Sequence, residues 1–271
     1  MQWILQDFED TPQLCAALDR AGQRWSLHKA VPFTGELLPT PEVADPGDVI
    51  LFGAYSLWRH AEAQGWRPGM FRIRPFVREA AWAPFLLNGP GEALFLTLAE
   101  VPERLPQDGR DWFMRPEDDS KAEPGRVRPA SEIHELAARV ARLPDDEIPL
   151  GALRNDTALM LTPPARIERE WRLWVVADRI AAFSLYREGR RVVYRRRIDP
   201  DALAFGETLV AANPGYAPAY VLDICRTPEG LRMLETNCIN AAGFYAADLD
   251  ALVAALAGGC GPGRTDRGDA A

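Results

Sequence analysis

The chain has 271 residues, 47% of them hydrophobic and 26% charged, with a formal net charge of −8. That length suffices for two compact domains with sizeable cores, and no apolar run approaches the roughly 18 residues that a membrane helix requires. An acidic balance argues against a protein that grips a phosphate backbone, so neither nucleic acid nor a membrane is expected as a partner.

The opening stretch MQWILQDFEDTPQL carries acids where a secretory signal carries a basic region, and a cytoplasmic location is expected. Residues 3–6 read as a strand, 11–21 as a helix with Thr11 as N-cap before Pro12, and 25–30 as a second strand. A buried strand at 48–52 runs through Gly53 into a helix at 55–63, and a strand at 70–73 would close a small parallel sheet. Residues 1–84 are therefore expected to form a Rossmann-like α/β layer, although G-x-G-x-x-G is missing. Residues 85–110, with a helix around 92–98, read as a connecting segment.

Beyond it, 111–116 is a strand, EDDSKAEPG a loop holding Lys121, and 131–143 a helix. A strand at 158–162 precedes Pro163 and Pro164. A long hairpin is expected at 166–178 and 180–186, a further arm at 191–198, and a helix at 200–212. The tail after Gly258 is small, polar and expected to be disordered. Cys15, Cys225, Cys238 and Cys260 are too widely spaced for a zinc site or a disulfide framework.

The chemistry gathers in a last hairpin, 219–224 and 231–236, joined by Arg-Thr-Pro-Glu-Gly. With the loop centred near Pro228 and Glu229, Asp223 lies opposite Glu235, and Asn237 projects from the same face because side chains alternate with period two. Directly opposed carboxylates sit only about 5 Å apart at their β-carbons and destabilise the pairing unless something positive lies between them. A hard divalent cation answers that need: magnesium, with manganese as the alternative, takes one or two carboxylates, an amide oxygen, waters and phosphate oxygens.

Other residues divide between chemistry and ordinary surface. In I-E-R-E-W-R-L-W-V-V, Ile167, Trp171, Leu173 and Val175 suit a core face, while Glu168, Glu170 and Arg172 share the other. Glu168 is expected to be solvated, and Glu170 and Arg172 to line the cleft of the carboxylate hairpin. Arg115 at a strand end and Lys121 on its loop could grip phosphate oxygens, or be plain surface cations. Of Arg187, Arg190, Arg191, Arg195, Arg196 and Arg197, only Arg187, following Ser184 and Tyr186 on one strand, is singled out for function. His28, His60 and His134 are isolated, and no G-x-S-x-G elbow, Cys/His signature or Walker A loop appears.

Together F-M-R-P followed by D-S-K-A, E-W-R-L-W-V-V, S-L-Y-R, and V-L-D followed by L-E-T-N and G-F-Y resemble the ATP-grasp superfamily. The nearest match is the clade named for its two arginines and one lysine, over residues 111–256. The resemblance implies a pre-ATP-grasp domain followed by an ATP-grasp fold of two α+β subdomains, at 111–165 and 166–257. It implies ATP between them, with adenine near Met160, Leu161 and Thr162. Asp223, Glu235 and Asn237 would hold magnesium, Arg115 and Lys121 would contact phosphates, and Glu170 and Arg172 would match the clade's acid and second arginine. The implied reaction activates a small-molecule or peptide carboxylate as an acylphosphate for attack by an amine. A nucleotide-binding module without turnover and a phosphotransferase are the other readings. Lys121 lies on a loop that is not the Gly-rich loop of many such ligases, and Arg115 stands where a lysine is common. Gly53, Tyr55 and Ser56 are candidates for part of the acceptor pocket.

Overall fold

The computed structural model describes residues 1–31, 34–89, 91–118, 123–144, 146–149 and 151–259. They form two compact units, one from Met1–Ile73 together with Ile167 onward, the other from Arg74–Arg166. Among the described residues no helix is long and apolar enough to cross a membrane.

The first unit opens with β1 (Gln2–Gln6), α1 (Thr11–Arg20), β2 (Arg24–Ala30), β3 (Leu37–Leu38), β4 (Val49–Phe52), α2 (Trp58–Ala63) and the two-residue β5 (Pro68–Gly69). Their sheet has the order β3-β2-β1-β4-β5, parallel except for the β2–β3 pair. A parallel sheet is covered on both faces, so its central strands read as unbroken apolar runs. Trp3, Leu5, Ile50 and Phe52 enter one core, and Ile4, Val49 and Leu51 another.

The second unit contains β6 (Leu94–Thr97), α3 (Val101–Arg104), β7 (Asp111–Pro116), β8 (Arg126–Pro129), α4 (Ala130–Val140) and β9 (Ala158–Thr162). The strands lie antiparallel in the order β6-β9-β7-β8. Period-two alternation sends Trp112, Met114, Leu159 and Leu161 into a core with Ile133, Leu136 and Val140 of α4. Phe113, Arg115, Met160 and Thr162 are left for the opposite face.

The chain then returns to the first unit with β10 (Arg169–Val176), β11 (Arg179–Glu188), β12 (Arg191–Arg195), α5 (Pro200–Ala212), β13 (Ala219–Thr227), β14 (Gly230–Asn237) and α6 (Leu249–Gly259). These strands form an antiparallel sheet ordered β12-β11-β10-β13-β14. Trp174, Val176, Ala219 and Val221 join Trp3, Leu5, Leu14 of α1, and Leu252, Val253 and Leu256 of α6 in a single core. Residues 1–73 thus bury one face of their sheet against this antiparallel sheet.

Four local expectations differ from the structure. Asp10, not Thr11, occupies the N-cap of α1; the Thr11 hydroxyl donates to the Gln6 carbonyl at 2.8 Å and accepts from Phe8 N–H at 3.1 Å. The strand expected at 70–73 is replaced by β5 at Pro68–Gly69. There the buried Asn240 amide takes over the end of the sheet, accepting from Phe71 N–H at 2.9 Å and donating to the Leu51 carbonyl at 2.8 Å. Residues 94–97, expected within a helix, are the strand β6, with Leu94 opposite Leu161. Helix propensities differ by only tenths of a kcal/mol per residue and yield to cross-strand pairing. The expected connector 85–110 therefore contributes β6 to the second unit's sheet, and a helical turn follows that strand at the Thr97/Glu100 capping box. Finally, α6 extends through Gly258 and Gly259, and the tail beyond lies outside the described residues.

Candidate active site

The β13–β14 hairpin turns through Pro228 and Glu229, with Thr227 paired to Gly230, and its register places Asp223 opposite Glu235. Asp223 is also the partner of Arg172 on β10, and Arg172 of Ser184 on β11. One row of side chains thus crosses four strands: Ser184, Arg172, Asp223, Glu235. Alternation carries this face into the shared core one step along, through Trp174, Val176 and Val221. The carboxylate row is therefore seated on a rigid, buried floor.

Arg172 grips Asp223 with a two-pronged fork, Nε to Oδ1 at 2.9 Å and a terminal nitrogen to Oδ2 at 2.7 Å. Both are buried, at 7% and 0% exposure. Burial works to lower the basicity of Arg172, but the Asp223 charge and hydrogen bonds outweigh it and hold the guanidinium protonated. Asn237 lies between the two acids, its amide nitrogen donating to Asp223 Oδ2 at 3.3 Å and to Glu235 Oε1 at 3.0 Å. The Asp223 carboxyl is pushed up to about 6 in all: burial raises it most, Arg172 pulls it down, and Glu235 and Glu170 push it up. The row is over-supplied with negative charge even with Arg172 in place.

That excess is the test of whether a divalent cation suits these residues, and it does. Two opposed carboxylates flank an amide whose oxygen becomes available on rotation, all hard donors suited to magnesium. Among the described residues no three His, Cys, Asp or Glu side chains cluster as metal ligands, so a cation here would need the Asn237 amide beside the two acids.

Beside the row, Arg187 donates to Glu170 Oε1 at 3.1 Å, with Glu170 only 5% exposed. Glu168, just before β10 begins, is exposed as expected. Tyr186 stacks on Tyr245 at 5.2 Å, and Tyr245 on Tyr194 at 4.9 Å. The Arg172 guanidinium lies 4.7 Å from the Tyr245 ring centre, a favourable cation–ring arrangement. Burial, then the Asp223 and Glu170 charges, keep the Tyr186 phenol protonated. The other arginines of the stretch mostly meet local acids: Arg195 with Glu188, Arg196 with Asp248, Arg197 with Asp199. Such exposed pairs contribute little.

In the second unit, Arg115 pairs in register with Met160 and Phe113 with Thr162. Arg115 donates from Nε to the Pro116 carbonyl at 3.2 Å and lies 5.0 Å from the Phe76 ring centre. Thr162 accepts from Asn88 at 2.8 Å. Leu161, in contrast, points into the helix-side core, so any ligand on the opposite face meets only its backbone. Lys121 lies outside the described residues. The sequence reading missed a buried acid here, Glu117, to which Arg78 donates twice at 2.7 Å; the one available signal was Glu117 directly following F-M-R-P. The histidines are structural: His28 meets Ser26 Oγ at 2.7 Å, His134 meets the Leu105 carbonyl at 3.0 Å, and His60 packs edge-on to Trp66.

A family model matches residues 35–256, that of the ATP-grasp domain in family 3 of the clade named for two arginines and one lysine. The chain belongs to that family. Solved structures share its fold. D-cycloserine synthetase DcsG superposes with a TM-score of 0.63 at 15% identity, covering 95% of this chain and 99% of that one. The ATP-grasp ligase PsnB, complexed with precursor peptide PsnA2 and AMPPNP, gives 0.51 at 14% identity, over 96% and 97%. D-alanine–D-alanine ligase from Bacillus anthracis, complexed with ATP, gives 0.53 at 9% identity, over 87% and 84%. No curated protein sequence matches the chain.

Proposed function

We propose that this ATP-grasp protein is an ATP-dependent carboxylate–amine ligase, acting on an amino acid or peptide through an acylphosphate. The observation that carries the reading is the Arg172–Asp223–Glu235 row with Asn237 bridging its two acids. Asp223, Glu235 and Asn237 would hold magnesium, which supplies charge neutralisation for phosphate oxygens. Arg172, already committed to Asp223, keeps that carboxylate ionised and aimed. Arg187 and Glu170 form the neighbouring cation–acid pair, and the exposed part of Arg187 is suited to an anionic substrate group. Arg115 and Lys121 are the proposed phosphate contacts, and Met160, Leu161 and Thr162 the proposed adenine wall. Residues 1–84 take the part of the pre-ATP-grasp layer.

The proposed chemistry needs no protein nucleophile. A substrate carboxylate oxygen attacks the γ-phosphorus, ADP leaves, and an amine then attacks the acyl carbon, expelling phosphate and losing its proton. Positioning and charge neutralisation are what the residues contribute. D-cycloserine synthetase and the PsnB ligase, alike in fold, favour this class over a phosphotransferase. The test is ADP release measured against panels of carboxylates and amines with magnesium. Release that depends on both supports a ligase; nucleotide binding with no substrate-stimulated release refutes it. Glu235→Ala should abolish magnesium-dependent nucleotide binding, and unchanged affinity would leave the hairpin with a structural role only.

A further inference from the structure

We propose that a pocket at the C-terminal ends of β1 and β4 binds a molecule of amino-acid size by its ammonium group, through Asp10. From β1 the chain adds β2 on one side and later β4 on the other, so the strand order reverses between β1 and β4. The crevice outside the carboxyl ends of strands at such a reversal is where open α/β sheets bind ligands. A pocket of about 170 Å³ lies there, lined among others by Gln6, Asp10, Phe52, Gly53, Asn240 and Phe244. Cavities of roughly 150 Å³ hold a single six-membered ring, whereas sites for larger ligands begin at about 300 Å³. The space suits a small amino acid.

Asp10 supplies the specificity. It occupies the N-cap of α1, where an aspartate side chain ordinarily accepts a hydrogen bond from the first helical turn, yet it makes no such bond. Its carboxylate is turned instead to the loop after β14, with Oδ2 accepting from Phe244 N–H at 3.2 Å. Among the described residues no cation pairs with it. A carboxylate freed from capping, in a pocket with Leu5, Leu14, Phe52 and Phe244 among its walls, complements a small apolar body carrying an ammonium. Gly53 keeps the pocket floor closed down, since a β-carbon there would stand 2.8 Å from Gln6 Oε1. Tyr55 and Ser56, also considered for an acceptor pocket, do not line it.

The loop that presents Phe244 leaves directly from β14, which carries Glu235 and Asn237. An ammonium held by a carboxylate has no lone pair to attack with. Resting on the ligase reading, the bound amine is thus a recognition handle on the molecule whose carboxylate is activated, an amino acid, and not the attacking nucleophile.

Calorimetric titration of the full chain without nucleotide tests this, using glycine, L-alanine, D-alanine, β-alanine and L-serine beside their N-acetyl derivatives. At least one amino acid should bind and its N-acetyl form should not. Asp10→Asn should weaken binding about ten- to hundredfold, the loss of one charge-assisted hydrogen bond. Gly243→Ala is the second variant. Its added methyl would lie 3.7 Å from Asp10 Oδ2 and 3.5 Å from the Tyr245 ring, ordinary contacts, so the fold is kept while the pocket, which Gly243 lines, narrows beside the carboxylate and binding weakens. Binding by no amino acid, equal binding of the N-acetyl forms, or undiminished binding by both variants overturns the proposal. Amino-acid binding without amino-acid-dependent ADP release leaves the pocket standing and removes the ligase. ADP release driven equally by carboxylates that lack an amine does the reverse.

Discussion

Replacing Arg172 by methionine should unfold the first unit far more easily than replacing any surface arginine. Two ion pairs of nearly equal length make the comparison. Arg172 to Asp223 spans 2.7 Å with side chains 9% and 1% exposed, and Arg196 to Asp248 spans 2.8 Å with side chains 60% and 37% exposed. Methionine keeps much of the Arg172 stem but leaves Asp223 as a buried carboxylate between the Asn237 amide and the Glu235 carboxylate. Removing one partner of a buried pair costs about 3–5 kcal/mol, because the remaining charge can neither be hydrated nor compensated. Loss of the contact with Tyr245 adds about 0.5–1 kcal/mol. The exposed pair should cost under about 1 kcal/mol when Arg196 is replaced. The assay is urea unfolding in the presence of EDTA, so that no divalent cation compensates Asp223, with the shift in midpoint read at constant slope. The double variant Arg172→Met with Asp223→Leu should recover most of the loss, since neither charge is then stranded. Arg172→Met falling within about 1 kcal/mol of Arg196→Met refutes the buried-fork account.

Three further outcomes follow from packing. Gly206 lies inside α5, where alanine would ordinarily gain about 1 kcal/mol; but its added carbon would stand 2.6 Å from Leu173 Cδ1 and 3.3 Å from Ile180 Cδ1, with Leu173 fully buried. Overpacking of about 1–3 kcal/mol should win, and a raised melting temperature for Gly206→Ala would contradict the close seating of α5. Asn240→Ala removes the bridge between the Leu51 carbonyl and Phe71 N–H, and should lower unfolding stability by about 2–3 kcal/mol by stranding both buried groups; a loss under about 0.5 kcal/mol would speak against it. Of the described cysteines, Cys225 and Cys238 are fully buried while Cys15 is partly exposed, so thiol reagent with peptide mapping should mark Cys15 on the native protein, and Cys225 and Cys238 only on unfolding. Prompt native labelling of Cys225 would mean that the β13–β14 hairpin opens readily.

The β13–β14 hairpin was legible because everything that shapes it is local. A Pro-Glu-Gly turn sets where the chain reverses, period two sets the faces, and Asp223 opposite Glu235 follows from fewer than about twenty residues. Their charge partner was less so. Arg172 stood out as a cation on the right kind of strand, but its fork on Asp223 depends on β10 pairing with β13 across 51 residues. The same holds for Arg78 and Glu117, 39 residues apart, and for Asp10, whose turn away from its helix is visible only beside Phe244. Residues 94–97 show the converse failure, a local pattern read as helix that an available strand partner drew into a sheet.

The sequence by itself determined the alternation of strands and helices, the two-carboxylate hairpin and the family. The first two depend on side-chain periods and turn chemistry that act within a few residues, and the family on short motifs that can be matched without a fold. Only the tertiary structure decided that the first sheet shares its core with the second, which guanidinium neutralises Asp223, and where a small pocket opens at the strand reversal. Those outcomes depend on which distant apolar faces bury one another, and no local pattern encodes that choice.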